Sequence, residues 1–405
     1  MKILVLNAGS SSQKSRLYEV PGSLPELAPT PLWQADADWS HKQGTTELKV
    51  TTAAGVTHTE NLPTDARSEV ITHMLKTLWS GKTQVIAQAS DIDIVGHRVV
   101  HGGQEFEEST LVTPEVKAAI RRLAVLAPEH NPANLEGIEA IERILPSVPQ
   151  VAVFDTAFHR HMPLPAVVYP IPYELFEQGI HRYGFHGISH QYCAHRAAQL
   201  LGKDLAALRL ITCHLGNGCS LAAIRDGQSI ETTMGFTPLE GLMMGSRSGS
   251  VDPGILLYLQ QQKGYPVAQL DSILNTASGL KGIAGAGDMR QVLRAMQEGD
   301  ARARLAFDMF VHRLRYYIGA MLATLGGLDA LVFAGGIGEN SAEVRAAACA
   351  PFAFLGLELD PQKNTQSPAD QLISAADSAV PVLIVSTQED WAIARDCWKL
   401  AQAHG

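Results

Sequence analysis

The sequence predicts an α/β protein built on a duplicated unit. Short apolar strands run repeatedly into glycine-rich or polar turns. Helical apolar stripes lie between those strands. One strand–turn–strand pattern also occurs twice, about half the chain apart. With 405 residues the chain has room for two or three domains of about 100–200 residues each. Hydrophobic residues make up 46% and charged residues 18%, the latter below the roughly 25% usual for soluble proteins. A large core is therefore expected, and disorder is not.

The elements follow in order. Ile3–Leu6 is the first strand and enters the turn Asn7-Ala8-Gly9-Ser10-Ser11-Ser12, and a second strand-like stretch follows at Ser15–Val20. The region from about Pro21 to Pro63 is polar and turn-rich, holds Trp33, Trp39 and the β-like run Glu47–Thr52, and reads as a peripheral hairpin region. Ile94-Val95 leads to Gly96-His97-Arg98. Asn131-Pro132 opens a helix, with Asn as N-cap and Pro at the first helical position. Its stripe is Leu135, Ile138, Ile141 and Leu145, and Pro146 stops it. Val151–Phe154 leads to Asp155-Thr156. Leu210–Cys213 leads to His214-Leu215-Gly216-Asn217-Gly218, and Leu221–Ile224 completes the second copy of the repeat. A helix is expected over Arg302–Leu325, striped by Leu305, Met309, Phe310, Leu314, Ile318, Met321 and Leu325 and ended by Gly326-Gly327. Leu331–Phe333 leads to Ala334-Gly335-Gly336-Ile337-Gly338, and Val382–Val385 leads to Ser386-Thr387.

Charge and cysteine content exclude several classes. The net charge is −9, from 32 basic and 41 acidic residues, which argues against a nucleic-acid or anionic-membrane binder. A small anion held by a few local arginines stays open. Five cysteines without C-x-x-C spacing predict neither a zinc site nor a disulfide framework. A reducing compartment fits best. The start is too short and too soon interrupted for a signal peptide. No run near the end reaches the ~20 apolar residues of a membrane helix. A cytoplasmic protein is expected.

Glycine and serine turns after strands let backbone N–H groups approach an anion. Three in one chain suggest a polyphosphate ligand, and ordinary tight turns are the alternative. Neither a P-loop nor a dinucleotide fingerprint occurs. Lys14, just past the first turn, reaches a phosphate or is simply solvated. Arg98 and Arg247 sit among small residues, where each is an anion fork or a structural ion pair. His186 between glycines, and Asp155 at a strand end, also allow a structural or a chemical role. Thr387 can cap the last helix with Asp390 completing a capping box, and Glu389 then favours the helix's positive end.

Together these segments resemble the acetate kinase family. The matching motifs are Asn7–Ser12, His97–Gly103, Phe154–His159, Arg182–Gly187, His214–Gly218, Met234–Ser248 and Gly335–Asn340, in the family's order over nearly the whole chain. The resemblance implies an acetate and sugar kinase, Hsp70 and actin fold: two domains of duplicated ribonuclease-H-like topology around a nucleotide cleft. Residues 1–155 with 386–405 would form one domain, and 156–385 the nucleotide-binding domain. It implies ATP + acetate ⇌ ADP + acetyl phosphate in a homodimer, with Mg²⁺, for which Mn²⁺ can substitute. Asn7 and Glu389 would belong to the magnesium site. Lys14, His214, Leu215, Gly216, Asn217, Gly218, Asp288, Met289, Arg290, Gly336, Ile337, Gly338, Glu339 and Asn340 would line the nucleotide. Arg98 would contact substrate, Asp155 would be the catalytic acid, and His186 and Arg247 would stabilise the transition state. The acyl pocket would map to Val100, Glu129, Phe185 and Pro238.

The chemistry accounts for these residue types. A carboxylate nucleophile is already ionised, so the obstacle is bringing one anion up to another. Arg98, Arg247, His186 and Mg²⁺ offset that repulsion. Asp155 is then expected to position metal, water or an arginine more than to remove a proton. The sequence departs from the family pattern at Ile188, Ser250, Gln388 and Asp390, at a shortened stretch before Asp288, and at Glu129, where Leu is usual. Glu129 is expected to point away from the pocket, because an ionised carboxylate beside a methyl group would be desolvated and would repel the substrate. The nearest rival is a propionate or other short-chain acyl kinase. A non-catalytic nucleotide switch on the same fold is the rival from another class.

Overall fold

In a computed structural model the chain is described over residues 1–9, 12–39, 44–366 and 370–404. Ser10 and Ser11 of the first turn lie outside the described residues. The chain divides into two compact units, Met1–Ala157 with Gln388–Gly405, and Phe158–Thr387. Among the described residues no helix is long and apolar enough to cross a membrane.

The first unit holds strands β1 (Lys2–Ala8), β2 (Ser12–Glu19), β3 (Trp33–Asp38), β4 (Thr46–Thr52), β5 (Thr57–Leu62), β6 (Ile94–Val99), β7 (Thr110–Leu111) and β8 (Gln150–Phe154). They form one sheet in the order β5-β4-β3-β2-β1-β6-β8-β7. β1 to β5 are an antiparallel meander, while β1, β6 and β8 run parallel. β1 and β8 are near-continuous apolar runs because helices cover a parallel strand on both faces. Helices Arg67–Trp79 and Asn131–Ile144 pack together, and Glu389–His404 packs on β1 and β6.

Two expectations change here. The region from Pro21 to Pro63 is not peripheral. Trp33, Ala35 and Ala37 of β3 and Leu48 and Val50 of β4 point into the main core, and Trp33 is fully buried with its indole N–H on Thr77 Oγ1 at 3.1 Å. The apolar residues alternate at period two, so half of each strand is core despite a polar composition. Asn131 does not cap its helix. His130 occupies that position, and its side chain does not cap the helix. The buried Asn131 amide instead accepts from the His101 N–H and donates to the His101 carbonyl, both at 3.1 Å.

The second unit holds β9 (Leu210–Leu215), β10 (Cys219–Arg225), β11 (Gln228–Thr232), β12 (Ala330–Ala334), β13 (Gln371–Leu372) and β14 (Val382–Ile384), in the order β11-β10-β9-β12-β14-β13. β11-β10-β9 are antiparallel neighbours, and β9, β12 and β14 are parallel. The first sheet's β3-β2-β1-β6-β8 has the same order and directions, so the duplicated ribonuclease-H-like topology is present. The long helix is Ala301–Leu325, capped by Asp300. Leu305 leaves the stripe expected for it and is 51% exposed. The buried face runs through Ala303, Ala306, Phe307, Phe310, Leu314, Ile318, Met321 and Leu325, and a residue two positions from Ala303 points almost directly away from that face. All five cysteines are buried free thiols.

Gly96 of β6 lies under the last helix. A Cβ there would meet Cys397 Sγ at 2.5 Å and Ile393 Cγ2 at 2.6 Å. Gly96→Ala is expected to lower stability by about 1–3 kcal/mol through overpacking, read as a lower thermal midpoint with far-UV circular dichroism unchanged before the transition.

Candidate active site

The carboxyl ends of β1, β6 and β8 share one edge of the first sheet because the three strands are parallel. Asn7 is on β1, Arg98 on β6, and Asp155 follows β8. Arg98 donates to Asp155 Oδ2 from Nε at 3.0 Å and from Nη2 at 2.5 Å. Arg98 Nη1 lies 3.5 Å from Asn7 Oδ1. The Asn7 amide donates to Asp390 Oδ1 at 2.8 Å and to Glu389 Oε2 at 3.4 Å. Arg16 Nε stands 3.6 Å from Asp390 Oδ2. Burial alone would lower the Arg98 pKa, but Asp155, Glu389 and Asp390 outweigh it and hold the pKa above the ordinary arginine value. Burial likewise pushes the Asp390 pKa up, against Arg16, Asn7 and Lys14.

These contacts alter the reading of the last helix. Asp390 was expected to complete a capping box, yet its carboxylate is engaged by Asn7 and Arg16. The Thr387 amide and hydroxyl both turn to Glu339 Oε1. Lys14 is exposed on β2, opposite Asn7 in the register. Val100 is buried, and its N–H is held by Asn134 Oδ1 at 3.2 Å. Glu129 is exposed.

His186 and Arg247 come together in the second unit. His186 adopts a left-handed backbone (φ 56°) at the start of helix Gly187–Leu201. A Cβ on Gly218 would meet Arg247 Nη2 at 3.1 Å and His186 Nε2 at 3.4 Å. The bare turn therefore leaves the edges of both side chains beside one small space. Arg247 Nη1 donates to the Pro238 carbonyl at 2.7 Å. Phe185 is buried, and its carbonyl accepts from His159 Nε2 at 3.0 Å. The His214 ring centroid lies 4.4 Å from that of His186.

A cavity of about 650 Å³ opens in the same unit. Gly216 and Asn217 form one wall, Asp288, Met289 and Arg290 another, and Gly336, Ile337 and Asn340 a third. Asp288 caps helix Met289–Gln297 and chelates the Arg290 guanidinium, which holds the Asp288 carboxyl below its usual range. Gly335-Gly336-Ile337-Gly338, read as a turn, is the start of a short helix, Gly335–Asn340. Gly335 has φ +76°, and a Cβ there would meet the Leu215 carbonyl at 2.8 Å. Of the second-unit residues expected along the nucleotide, five do not line the cavity: His214, Leu215, Gly218, Gly338 and Glu339. Leu215 is fully buried, Gly338 is buried, His214 stacks toward His186, and Glu339 Oε1 accepts from the Gly335 N–H at 3.0 Å.

Sequence reasoning missed several contributors. Gly287, Leu293 and Ser341 also line the cavity. Arg345 is fully buried and donates to the carbonyls of Gly338 at 2.8 Å and Glu339 at 2.9 Å, clamping the short helix. Burial lowers the Arg345 pKa to about 10. An arginine in the alanine-rich stretch Ala342–Cys349 was the available signal.

Residues 2–395 match the model of the acetokinase family. The chain belongs to the acetokinase family. Among the similar members are the acetate kinase of Gloeobacter violaceus, 63% identical over 402 residues (98% of this chain and 99% of that one), and that of Cyanothece sp., 60% identical over 405 residues (100% and 99%). Similar solved structures are the Porphyromonas gingivalis acetate kinase (40% identity, TM-score 0.91, 99% of both chains) and a Francisella tularensis propionate kinase (38%, 0.89, 98% and 99%).

His97, beside Arg98 on β6, is a pH-sensitive support of this acetokinase scaffold. It is buried with Nε2 on Gln150 Oε1 at 2.7 Å, and burial pushes its pKa from 6.5 down to about 4. The neutral ring therefore contributes stability that is full above pH 6.5 and is lost as pH falls toward 4. Its share is about 3 kcal/mol at 1.36 kcal/mol per pKa unit. The urea midpoint of the wild type should fall between pH 7.5 and 5, and His97→Gln should flatten that slope.

Proposed function

We propose that this chain transfers the γ-phosphoryl group of ATP reversibly to acetate, giving acetyl phosphate and ADP. The observation that carries the reading is Arg98, held on Asp155 at the strand edge that also presents Asn7, which donates to Glu389 at the start of the last helix. An arginine fork fixed in this way suits a carboxylate or phosphoryl oxygen. The relatives named acetate kinase supply the substrate.

Each group then has a task. ATP takes the second-unit cavity, with its phosphates toward the glycine turn at Gly216–Gly218. Acetate needs no base, because it arrives ionised. Arg98 and Arg247 offset the repulsion between carboxylate and phosphoryl group, and His186 donates to a phosphoryl oxygen. Asp155 orients Arg98 and accepts two of its N–H bonds, so it is a positioning carboxylate. The hard oxygens of Glu389, Asp390 and Asn7 fit Mg²⁺, which binds through one or two carboxylates plus substrate phosphates. Bound there, Mg²⁺ would neutralise phosphate charge.

A second reading keeps propionate in view, since one similar structure is a propionate kinase. One methylene changes affinity by only ~1–3 kcal/mol. Trapping acyl phosphate as hydroxamate with ATP and Mg²⁺ separates the two. Acetate should give the higher kcat/KM, Arg98→Ala should lower it about 10²–10³-fold, and Glu129→Leu should leave the acetate KM unchanged. No acyl phosphate from either acid would end the kinase reading.

The chain is also proposed to act as a homodimer in the cytoplasm. Buried free thiols suit a reducing compartment. Helix Pro253–Lys263 has no buried residue and exposes Ile255, Leu257 and Tyr258. A lone helix of that length is marginal in water, so a second copy is the fitting cover. Leu257→Asp should shift sedimentation from dimer to monomer.

A further inference from the structure

Behind His186 runs a chain of buried hydrogen bonds that the proposed chemistry does not use. Thr212 Oγ1 of β9 lies 2.7 Å from His190 Nδ1. His190 Nε2 lies 2.7 Å from Ser220 Oγ of β10, and the same Ser220 Oγ lies 2.9 Å from His186 Nδ1. Thr212, His190 and Ser220 are each at most 1% exposed. We propose that Thr212, His190 and Ser220 are positioning residues that hold His186 with its ring proton on Nε2, the edge beside Gly218 and Arg247. This deepens the acyl-kinase reading and rests on it for the role of His186.

The direction of the relay follows from counting hydrogens. Among the described residues, the buried Thr212 hydroxyl hydrogen meets one acceptor, His190 Nδ1. His190 is kept neutral, because burial together with His159 and His214 lowers its pKa well below 6.5. A neutral ring that accepts at Nδ1 carries its hydrogen on Nε2. His190 Nε2–H therefore points at Ser220 Oγ. The single Ser220 hydrogen is then left for His186 Nδ1, so His186 accepts there and donates from Nε2. Reversing the relay would leave the Thr212 hydroxyl hydrogen buried without an acceptor, which is costly. Buried Ser189 Oγ lies 2.7 Å from Nδ1 of the neighbouring His214 ring. The Nε2 edges of both imidazoles face the bare turn, since Cβ atoms on Gly216 and Gly218 would lie 3.8 Å and 3.4 Å from His214 Nε2 and His186 Nε2.

The test is long-range ¹H–¹⁵N correlation on the full-length protein labelled at histidine, near pH 7.5, with kinetics on the same samples. His186 and His190 should both show the Nε2–H tautomer. Ser220→Ala should mix the His186 tautomers and lower kcat about 10- to 100-fold, the range that loss of an orienting partner costs a metal-bound histidine, with KM for ATP within twofold. Thr212→Val should disturb the His190 tautomer, and Thr212→Ser, which keeps the hydroxyl, should restore it. An Nδ1–H tautomer at His186 in the wild type would overturn the proposal. So would a Ser220→Ala protein that loses kcat with the His186 spectrum unchanged. A wild type that makes no acyl phosphate but shows the expected tautomers would refute the kinase reading while leaving the relay in place.

Discussion

The parallel pairing of a central strand with its crossover neighbour, β1 with β6 and β9 with β12, is the constraint on which the rest depends. Parallel strands end on the same side, so residues far apart in sequence are delivered to one edge. In the first unit that edge gathers Asn7, Arg98 and Asp155. In the second, the ends of β9 and β12 lead to the glycine turn and the short helix that wall the cavity. The antiparallel hairpin partners β2 and β10 then add Arg16 and Ser220 as supports.

The charged groups at the first edge are held by mutual compensation. Arg98 leaves much of its hydration behind, and Asp155, Glu389 and Asp390 replace it. Removing one partner of such a set leaves another charge poorly solvated, which disturbs more than the pairwise contact itself. In the second unit, Arg345 donates to the Asn364 side chain and to the carbonyls of Gly338 and Asn364. Its task is to satisfy the ends of a short helix that could not stand alone.

The strand-and-turn punctuation made much of this legible from the residues. Each apolar run ending in a polar or glycine turn became a strand, and the weak internal repeat became two sheets of one topology. Family motifs led to Arg98, Asp155, His186 and Arg247, which lie where two local clusters form. What stayed hidden was side-chain direction. Asn131 has the chemistry of an N-cap, and only tertiary packing turns it to His101. Leu305 is apolar yet faces outward, because a helix has one inward stripe and the stripe passes through alanines. Glu339 belongs to a glycine-rich motif but folds back onto Gly335. The His190–Ser220 relay pairs a helix with a strand, and no local periodicity signals it.

The last helix, Glu389–His404, lies on β1 and β6 although all of residues 158–387 come between those strands and it. On the ribosome this fixes an order of events. The second unit is contiguous and can close as soon as its own residues emerge. The first unit, whose strands are synthesised earliest, must wait with Gly96 uncovered and Asn7 lacking its carboxylate partners until the final helix arrives. The part of the protein made first is thus the part completed last, against the usual N-terminal-first sequence of domain folding.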